Sequence, residues 1–239
     1  MLILDALREG LRAAMWVTLG ALGLVLLLAP AAGGVVIGAR MRATTDLVLW
    51  LQWVSVCGTA LHLGTRVPGP AGLRALVLAG PVSRARWVAA RTLGLGAVSW
   101  AQVVALLVAG AVVVPPAPVW GLHGLALGTE ALVLIGMAGL LRTLGARPWL
   151  AGVAAGALGL VGHLEAEVVR ALGQGGLAGL GRGLTWLLPG FDQVGVQSAI
   201  VAGQGVVLTT VLGGAAQLLC WSLVLGGATV LVMDRRDPA

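Results

Sequence analysis

The sequence predicts an all-α protein that crosses a membrane about six times. Of its 239 residues, 59% are hydrophobic and only 10% are charged, and the mean hydropathy is +1.00. A typical soluble domain carries about 25% charged residues, so this chain has too few to cover a water-facing surface. The charges also lie between long apolar runs. These observations argue against a soluble enzyme and a disordered chain, and they predict a single transmembrane domain over residues 1–239.

The residue types that the chain lacks exclude some functions. The chain contains no Lys and no Asn, and its Cys57 and Cys220 lie in apolar runs, where packing is the expected role. A Walker A loop needs a Lys on the phosphates, so we expect neither a P-loop, nor a bound cofactor, nor enzymatic activity in this chain. The missing types have AT-rich codons, which indicates a GC-rich, bacterial genome.

The first element is predicted to be an amphipathic helix over residues 2–15, lying at the membrane surface. Its apolar side chains fall three or four residues apart, and its charged side chains take the opposite face. The apolar set is Leu4, Leu7, Leu11 and Met15, and the charged set is Asp5, Arg8, Glu9 and Arg12. The alternative interpretation is the ordinary charged flank of a first span.

Six apolar runs then predict six spans. Their approximate bounds are 13–39, 47–63, 93–114, 122–141, 149–162 and 206–233. A loop with Arg40, Arg42 and Asp46 is predicted between the first two. The fifth run rises only about 21 Å as a helix, less than the hydrocarbon thickness of about 30 Å. Residues 163–205 are expected to form short extracytoplasmic or re-entrant helices, shielded from lipid by protein.

The distribution of arginine predicts the orientation of the spans. Six spans place both termini on one side, and a cytoplasmic N-terminus puts eleven of the fifteen arginines inside, as the positive-inside rule requires. Those arginines are Arg8, Arg12, Arg66, Arg74, Arg84, Arg86, Arg91, Arg142, Arg147, Arg235 and Arg236. The net charge of +6 is thus explained by topology, and nucleic acid is not expected as a partner.

Few polar side chains fall inside the predicted spans. Glu130 is the one acid there, and an ionisable group at such depth is a functional hypothesis by default. Two interpretations stay open, a proton or cation site and a neutral hydrogen-bonded Glu, and we favour the second because no acid or base is apparent in a neighbouring span. Gln52, Gln102 and Gln217 either line a pathway or bond neighbouring helices. His62, His123 and His163 match no metal motif and are interpreted as isolated.

The segment 64–92 is predicted to be a cytoplasmic docking loop. It reads as a short helix, a stop at Gly80-Pro81 and a new helix that begins at the cap Ser83 and runs into the third span. Such an arginine-rich helical hairpin suits docking to a soluble partner. The residues expected to take part are Arg74, Pro81, Ser83, Arg84, Arg86, Trp87 and Arg91.

The same segment resembles the permease subunits of ABC-2-type transporters. The matching positions are Pro81, Val82, Ser83, Arg84, Trp87, Arg91 and Gly94, followed by Leu188-Pro189-Gly190-Phe191-Asp192 and the tail Met233-Asp234-Arg235-Arg236-Asp237. The resemblance implies a multi-pass protein of the bacterial cytoplasmic membrane that pairs with a second permease, as a homodimer or heterodimer. It also implies a separate ATPase subunit that binds ATP and Mg²⁺ and docks on the 64–92 loop.

Three other classes of membrane protein are alternatives to a transporter subunit of this kind. A membrane scaffold or assembly subunit shares its hydropathy and topology. A secondary transporter is expected to show inverted repeats and several intramembrane polar groups, which the sequence lacks. A membrane enzyme needs converging polar residues, and none are visible.

Overall fold

The computed structural model describes residues 2–27, 39–69, 82–113, 119–177, 179–180, 189, 191, 196, 200–201 and 206–236. Over these residues the secondary structure is helical, without a strand. The helices of ten residues or more in this part of the chain are α1 (Leu2–Leu27), α2 (Ala39–Gly64), α3 (Arg84–Val113), α4 (Trp120–Thr143), α5 (Pro148–His163), α6 (Glu165–Gln174) and α7 (Leu208–Arg236).

Four of these helices, α2, α3, α4 and α7, are long and apolar enough to cross a membrane. Two shorter apolar stretches accompany them, Ala14–Leu24 within α1 and the whole of α5. These findings confirm the all-α class and indicate a membrane-embedded protein. Six crossings and cytoplasmic termini stay predictions.

Helix α4 is the centre of the bundle and contacts α2, α3, α5 and α7. Its glycines allow these close approaches: a Cβ added at Gly128 would lie 2.3 Å from the Trp100 ring on α3, and one at Gly136 would lie 3.1 Å from Leu225 on α7. The apolar window of α4 is 72% buried, whereas that of α7 is 22% buried. The outer helix α7 therefore leaves most of its apolar surface for lipid or another subunit.

Both termini of the described chain meet at one end of the bundle, which we call the near end. Trp87 and Val88 at the start of α3 pack against Met233 at the end of α7, and Leu2 joins them from α1. The side chain of Arg84 also donates a hydrogen bond to Asp234 at 2.7 Å. This arrangement places both ends of the described chain on the same side of the bundle.

The structure corrects the sequence prediction at α1. We predicted a surface helix over 2–15 and a separate first span from about residue 13, but α1 is one unbroken helix through Leu27. Ala6, Gly10 and Ala14 are buried, and Gly10 sits so close to α3 that an added Cβ would lie 2.9 Å from Val98. Small residues on this face pack α1 against α3, so the leader is part of the bundle.

The loop predicted between the first two spans is also wrong. Helix α2 begins at Ala39 and includes Arg40, Arg42 and Asp46. Charged side chains do not end a helix, and the 39–57 stretch contains neither Pro nor Gly. Helix α2 therefore begins before these charged residues and includes them.

Other predictions of elements are confirmed. The cap at Ser83 is present, because its Oγ accepts a hydrogen bond from the Arg86 N–H at 3.3 Å. The fourth and fifth runs appear as α4 and α5 with bounds shifted by one or two residues. In the 163–205 segment, α6 follows α5 after the single residue Leu164, and most of the remainder lies outside the described residues.

Candidate functional site

Three side chains from different helices converge on the middle of α4. Glu130, which is 3% exposed, accepts a hydrogen bond at Oε2 from Trp53 Nε1 on α2, at 3.1 Å. His163 Nε2, at the end of α5, lies 3.3 Å from the same oxygen and 3.2 Å from Trp53 Nε1. We call Trp53, Glu130 and His163 the mid-bundle cluster. The prediction that Glu130 lacks a neighbouring base and that His163 is isolated is therefore wrong.

The length of α5 sets the depth of His163. With 16 residues, α5 rises about 24 Å, so a helix that starts at the near end stops beside the middle of α4. Glycines let α5 approach its neighbours closely. A Cβ added at Gly159 would lie 2.8 Å from Leu134 on α4, and one at Gly162 would lie 2.6 Å from the Pro189 carbonyl. The short fifth apolar run therefore places the His163 imidazole next to the buried Glu130 carboxylate.

Aromatic rings surround the cluster. The Trp53 and His163 rings meet edge to face, with centroids 5.1 Å apart. The ring of Phe191 stacks on His163, also at 5.1 Å and with 23° between the planes. Phe191 is fully buried. These contacts fix the imidazole in place, because it is held between two aromatic partners and one carboxylate.

A cavity of about 250 Å³ lies against the mid-bundle cluster. Its polar groups come from Glu130, His163 and Trp53, and most of the remaining lining is apolar, including Leu134 and Phe191. Val54 on α2 and Leu160 on α5 also line it, and both are more than half exposed on the surface of the bundle. The cavity therefore opens between α2 and α5, on an apolar surface.

The geometry of the cluster lets it hold one proton in two ways. Either His163 Nε2 carries a hydrogen and donates to the Glu130 carboxylate, or a protonated Glu130 donates to an Nε2 lone pair. Trp53 Nε1–H lies within hydrogen-bonding distance of both acceptors. Glu130 and His163 can thus exchange a proton without a change in position, whereas Trp53 acts only as a donor.

A second polar cluster lies at the near end and consists of Glu9, Arg66 and Arg91. Arg91 is 1% exposed, and its Nη2 donates to Glu9 Oε2 at 2.7 Å and to the Arg66 carbonyl at 2.5 Å. Arg66 Nη1 also donates to Glu9, at 3.3 Å. These bonds tie α1, the turn after α2 and the first turns of α3 together, and we call this group the near-end cluster.

The indole of Trp87 supports the near-end cluster from one side. The Arg91 guanidinium carbon lies 5.5 Å from the Trp87 ring centroid. Gly69, with a φ of +73°, approaches the ring so closely that an added Cβ would lie 2.8 Å from it. A glycine is needed at this position, both for the left-handed backbone and for the contact.

The structure divides the seven predicted docking residues into distinct groups. Arg74 and Pro81 lie outside the described residues. Arg84 pairs with Asp234, Ser83 caps α3, and Arg86 is exposed. Trp87 and Arg91 are each 1% exposed, so their side chains lie within the bundle, and their part in docking stays a prediction. Arg91 can be buried because Glu9 is its charge partner, which sequence spacing did not reveal.

The glutamines predicted in the spans bond neighbouring helices. Gln102 donates to the Ser55 carbonyl at 3.3 Å, and Gln52 donates to the Leu106 carbonyl at 2.8 Å. Gln217 is half-buried on α7. In the part of the chain that the structure describes, no three His, Cys, Asp or Glu side chains are grouped to hold a metal ion.

Comparison with known proteins adds no assignment. No protein-family model and no curated protein sequence matches the chain. The membrane-embedded helical bundle and its two polar clusters are therefore the observations from which function must be inferred.

Proposed function

We propose that this chain is the membrane subunit of a transporter driven by a separate ATPase, a permease of the ABC-2 type in the bacterial cytoplasmic membrane. The observation that carries the proposal is the attachment to the bundle of the two described parts of the predicted docking segment 64–92, which are residues 64–69 and 82–92. Gly69 lies close to the Trp87 ring, and Val82 packs against Trp87, Val88 and Met233. Parts held in this way can transmit force to the helices.

The near-end cluster extends that connection into the bundle. Arg91 on α3 holds Glu9 of α1 and the carbonyl of Arg66. Arg142, at the end of α4, donates to the Thr65 carbonyl at 3.4 Å. The turn at 65–69 is thus bonded to three helices, so a movement of the docking segment would shift α1, α3 and α4 together.

The composition of the chain indicates which subunit would bind ATP. ATP and Mg²⁺ would bind to the ATPase partner, because a chain without Lys cannot form a P-loop. A second permease, identical or different, would complete the pathway. The largely unburied apolar surface of α7 is available for that second subunit or for membrane lipid.

Arg86 offers the sharpest test of docking. It lies within the predicted docking segment 64–92 and is exposed, whereas Arg84 is engaged with Asp234. We expect Arg86→Glu to lower recovery of a co-expressed ATPase about tenfold in a mild-detergent pull-down, since a reversed rim charge opposes association. The matched control is Arg147→Glu, an exposed arginine at the start of α5, which should leave recovery unchanged.

Two results would count against the proposal. Equal ATPase recovery with wild type and Arg86→Glu would remove the docking assignment. Recovery of a partner that binds no nucleotide would instead favour the alternative, a membrane scaffold that does not transport.

A further inference from the structure

We propose that the mid-bundle cavity binds a small lipophilic organic cation, with the Glu130 carboxylate as its counter-charge and the rings of Trp53 and Phe191 as its walls. The inference deepens the proposed function, on which it rests, because it names the chemical class of the cargo. Four properties of the cavity support the proposal: the charge of its lining, its aromatic walls, its opening and its size.

The charge of the lining favours a cation. Glu130, His163 and Cys57 are its titratable groups, and no arginine side chain is among the described residues that line it. The cavity also adjoins the C-terminal end of α5, where the helix ends at His163 and its dipole presents partial negative charge. An anion would meet the carboxylate and this dipole, and the basic group of the described lining, His163, already faces that carboxylate at 3.3 Å.

The Glu130 carboxylate has a polar partner within the bundle, because Trp53 Nε1 donates a hydrogen bond to it at 3.1 Å. His163 can also accept the Trp53 N–H in its neutral form, given the 3.2 Å separation of the two nitrogens. An entering cation would pair directly with the Glu130 carboxylate. The carboxylate does not need to move, since it already lines the cavity.

The rest of the lining favours a lipophilic ligand with its charge held close to aromatic rings. Trp53 and Phe191 both line the cavity, and organic ammonium groups bind to aromatic faces. The mouth lies between Val54 and Leu160 on the apolar surface of α2 and α5. A ligand would therefore enter from the lipid, where lipophilic cations accumulate.

The size of the cavity limits the ligand. Its volume of about 250 Å³ falls just below the range of roughly 300–1,000 Å³ for drug-sized sites. A single ring with one ammonium group is therefore a suitable probe. Benzyltrimethylammonium has this form, and neopentylbenzene has the same shape without the charge.

The test is saturable binding of radiolabelled benzyltrimethylammonium to the purified full-length chain in detergent. We expect binding that excess neopentylbenzene does not displace. Glu130→Gln should weaken binding more than tenfold, because it removes the charge and keeps the shape. The matched control is Thr129→Val, the neighbouring residue, whose hydroxyl bonds within α4 to Leu125 and Ala126; it should bind as wild type.

Either of two results would overturn the proposal: no saturable binding by wild type, or equal binding by wild type and Glu130→Gln. Displacement by the neutral isostere would also overturn it, since it would identify an apolar cavity without charge selectivity. This comparison needs only the wild-type chain, so it decides the matter even if Glu130→Gln does not fold.

The binding test and the docking test fail separately. Cation binding is measured on the chain alone, without an ATPase. Absence of binding together with intact ATPase recovery would reject the cation site and keep the permease. Cation binding without any co-purifying ATPase would keep the cation site and reject the permease.

Discussion

The mid-bundle cluster and the near-end cluster each bury charge, but they differ in what surrounds that charge. In the near-end cluster Arg91 meets a carboxylate and a backbone carbonyl at 2.7 and 2.5 Å. In the mid-bundle cluster Glu130 meets an indole N–H and an imidazole, and it lines a mostly apolar cavity, whereas the cavity beside Glu9 is lined by charged side chains. A buried arginine paired with a carboxylate is typical of structure, whereas an acid in a mostly apolar cavity is typical of a binding site.

The largest expected effect is on stability at the near end. Glu9→Gln leaves the guanidinium of Arg91 buried without its charge partner, and breaking such a pair costs about 3 kcal/mol in free energy of unfolding. The measurement is a denaturant titration in mixed micelles. In the mid-bundle cluster, by contrast, Glu130→Gln should change the free energy of unfolding by no more than about 1 kcal/mol.

Two further variants sharpen the stability comparison. The double variant Glu9→Gln/Arg91→Met should recover most of the loss, because it removes both charges. Arg66→Gln should cost at most about 1 kcal/mol, since that side chain is 38% exposed and its backbone carbonyl still accepts from Arg91. A Glu9→Gln variant as stable as wild type would show that the near-end ion pair does not hold the helices together.

The next largest effect is expected for a substitution that displaces Phe191, a wall of the cavity. A Cβ at Gly162 would lie 2.6 Å from the Pro189 carbonyl and 2.7 Å from the Phe191 ring. We expect Gly162→Ala to displace Phe191, to weaken benzyltrimethylammonium binding about tenfold and to destabilise the fold by about 1–3 kcal/mol. Gly152→Ala on the same helix is the control, because nothing lies within 4 Å of its added Cβ. Equal cation affinity in both variants would show that Phe191 is not a wall of the site.

The smallest effect belongs to the cap of α3. Ser83→Ala removes the hydrogen bond to the Arg86 N–H and should lower the free energy of unfolding by about 1 kcal/mol. Cation binding should not change, because the cap lies at the near end. A loss of binding in this variant would show that the two regions are coupled.

Elements with a local signal could be predicted from the sequence. Helix α4 follows from one long apolar run, and the start of α3 follows from a serine that can cap it. The boundary of α2 could not be predicted, because Arg40, Arg42 and Asp46 mark a polar stretch without saying whether it is helical. Charge alone is a poor guide to a helix end when no Pro or Gly is present.

Contacts across the bundle could not be derived from spacing. Glu130 and His163 are 33 residues apart, and Glu9 and Arg91 are 82 apart. Each pair depends on which helices are neighbours, which apolar periodicity does not determine. The one available signal was the short length of α5, which places a histidine deep in the bundle beside the single predicted intramembrane acid.

The most direct test of the distinction between the two clusters is cation binding by Glu9→Gln and Glu130→Gln, measured side by side on equal amounts of folded protein. Both variants remove one acid and preserve its shape. We expect Glu9→Gln to bind benzyltrimethylammonium as wild type does and Glu130→Gln to lose more than tenfold in affinity. Equal affinities in the two variants would contradict this distinction.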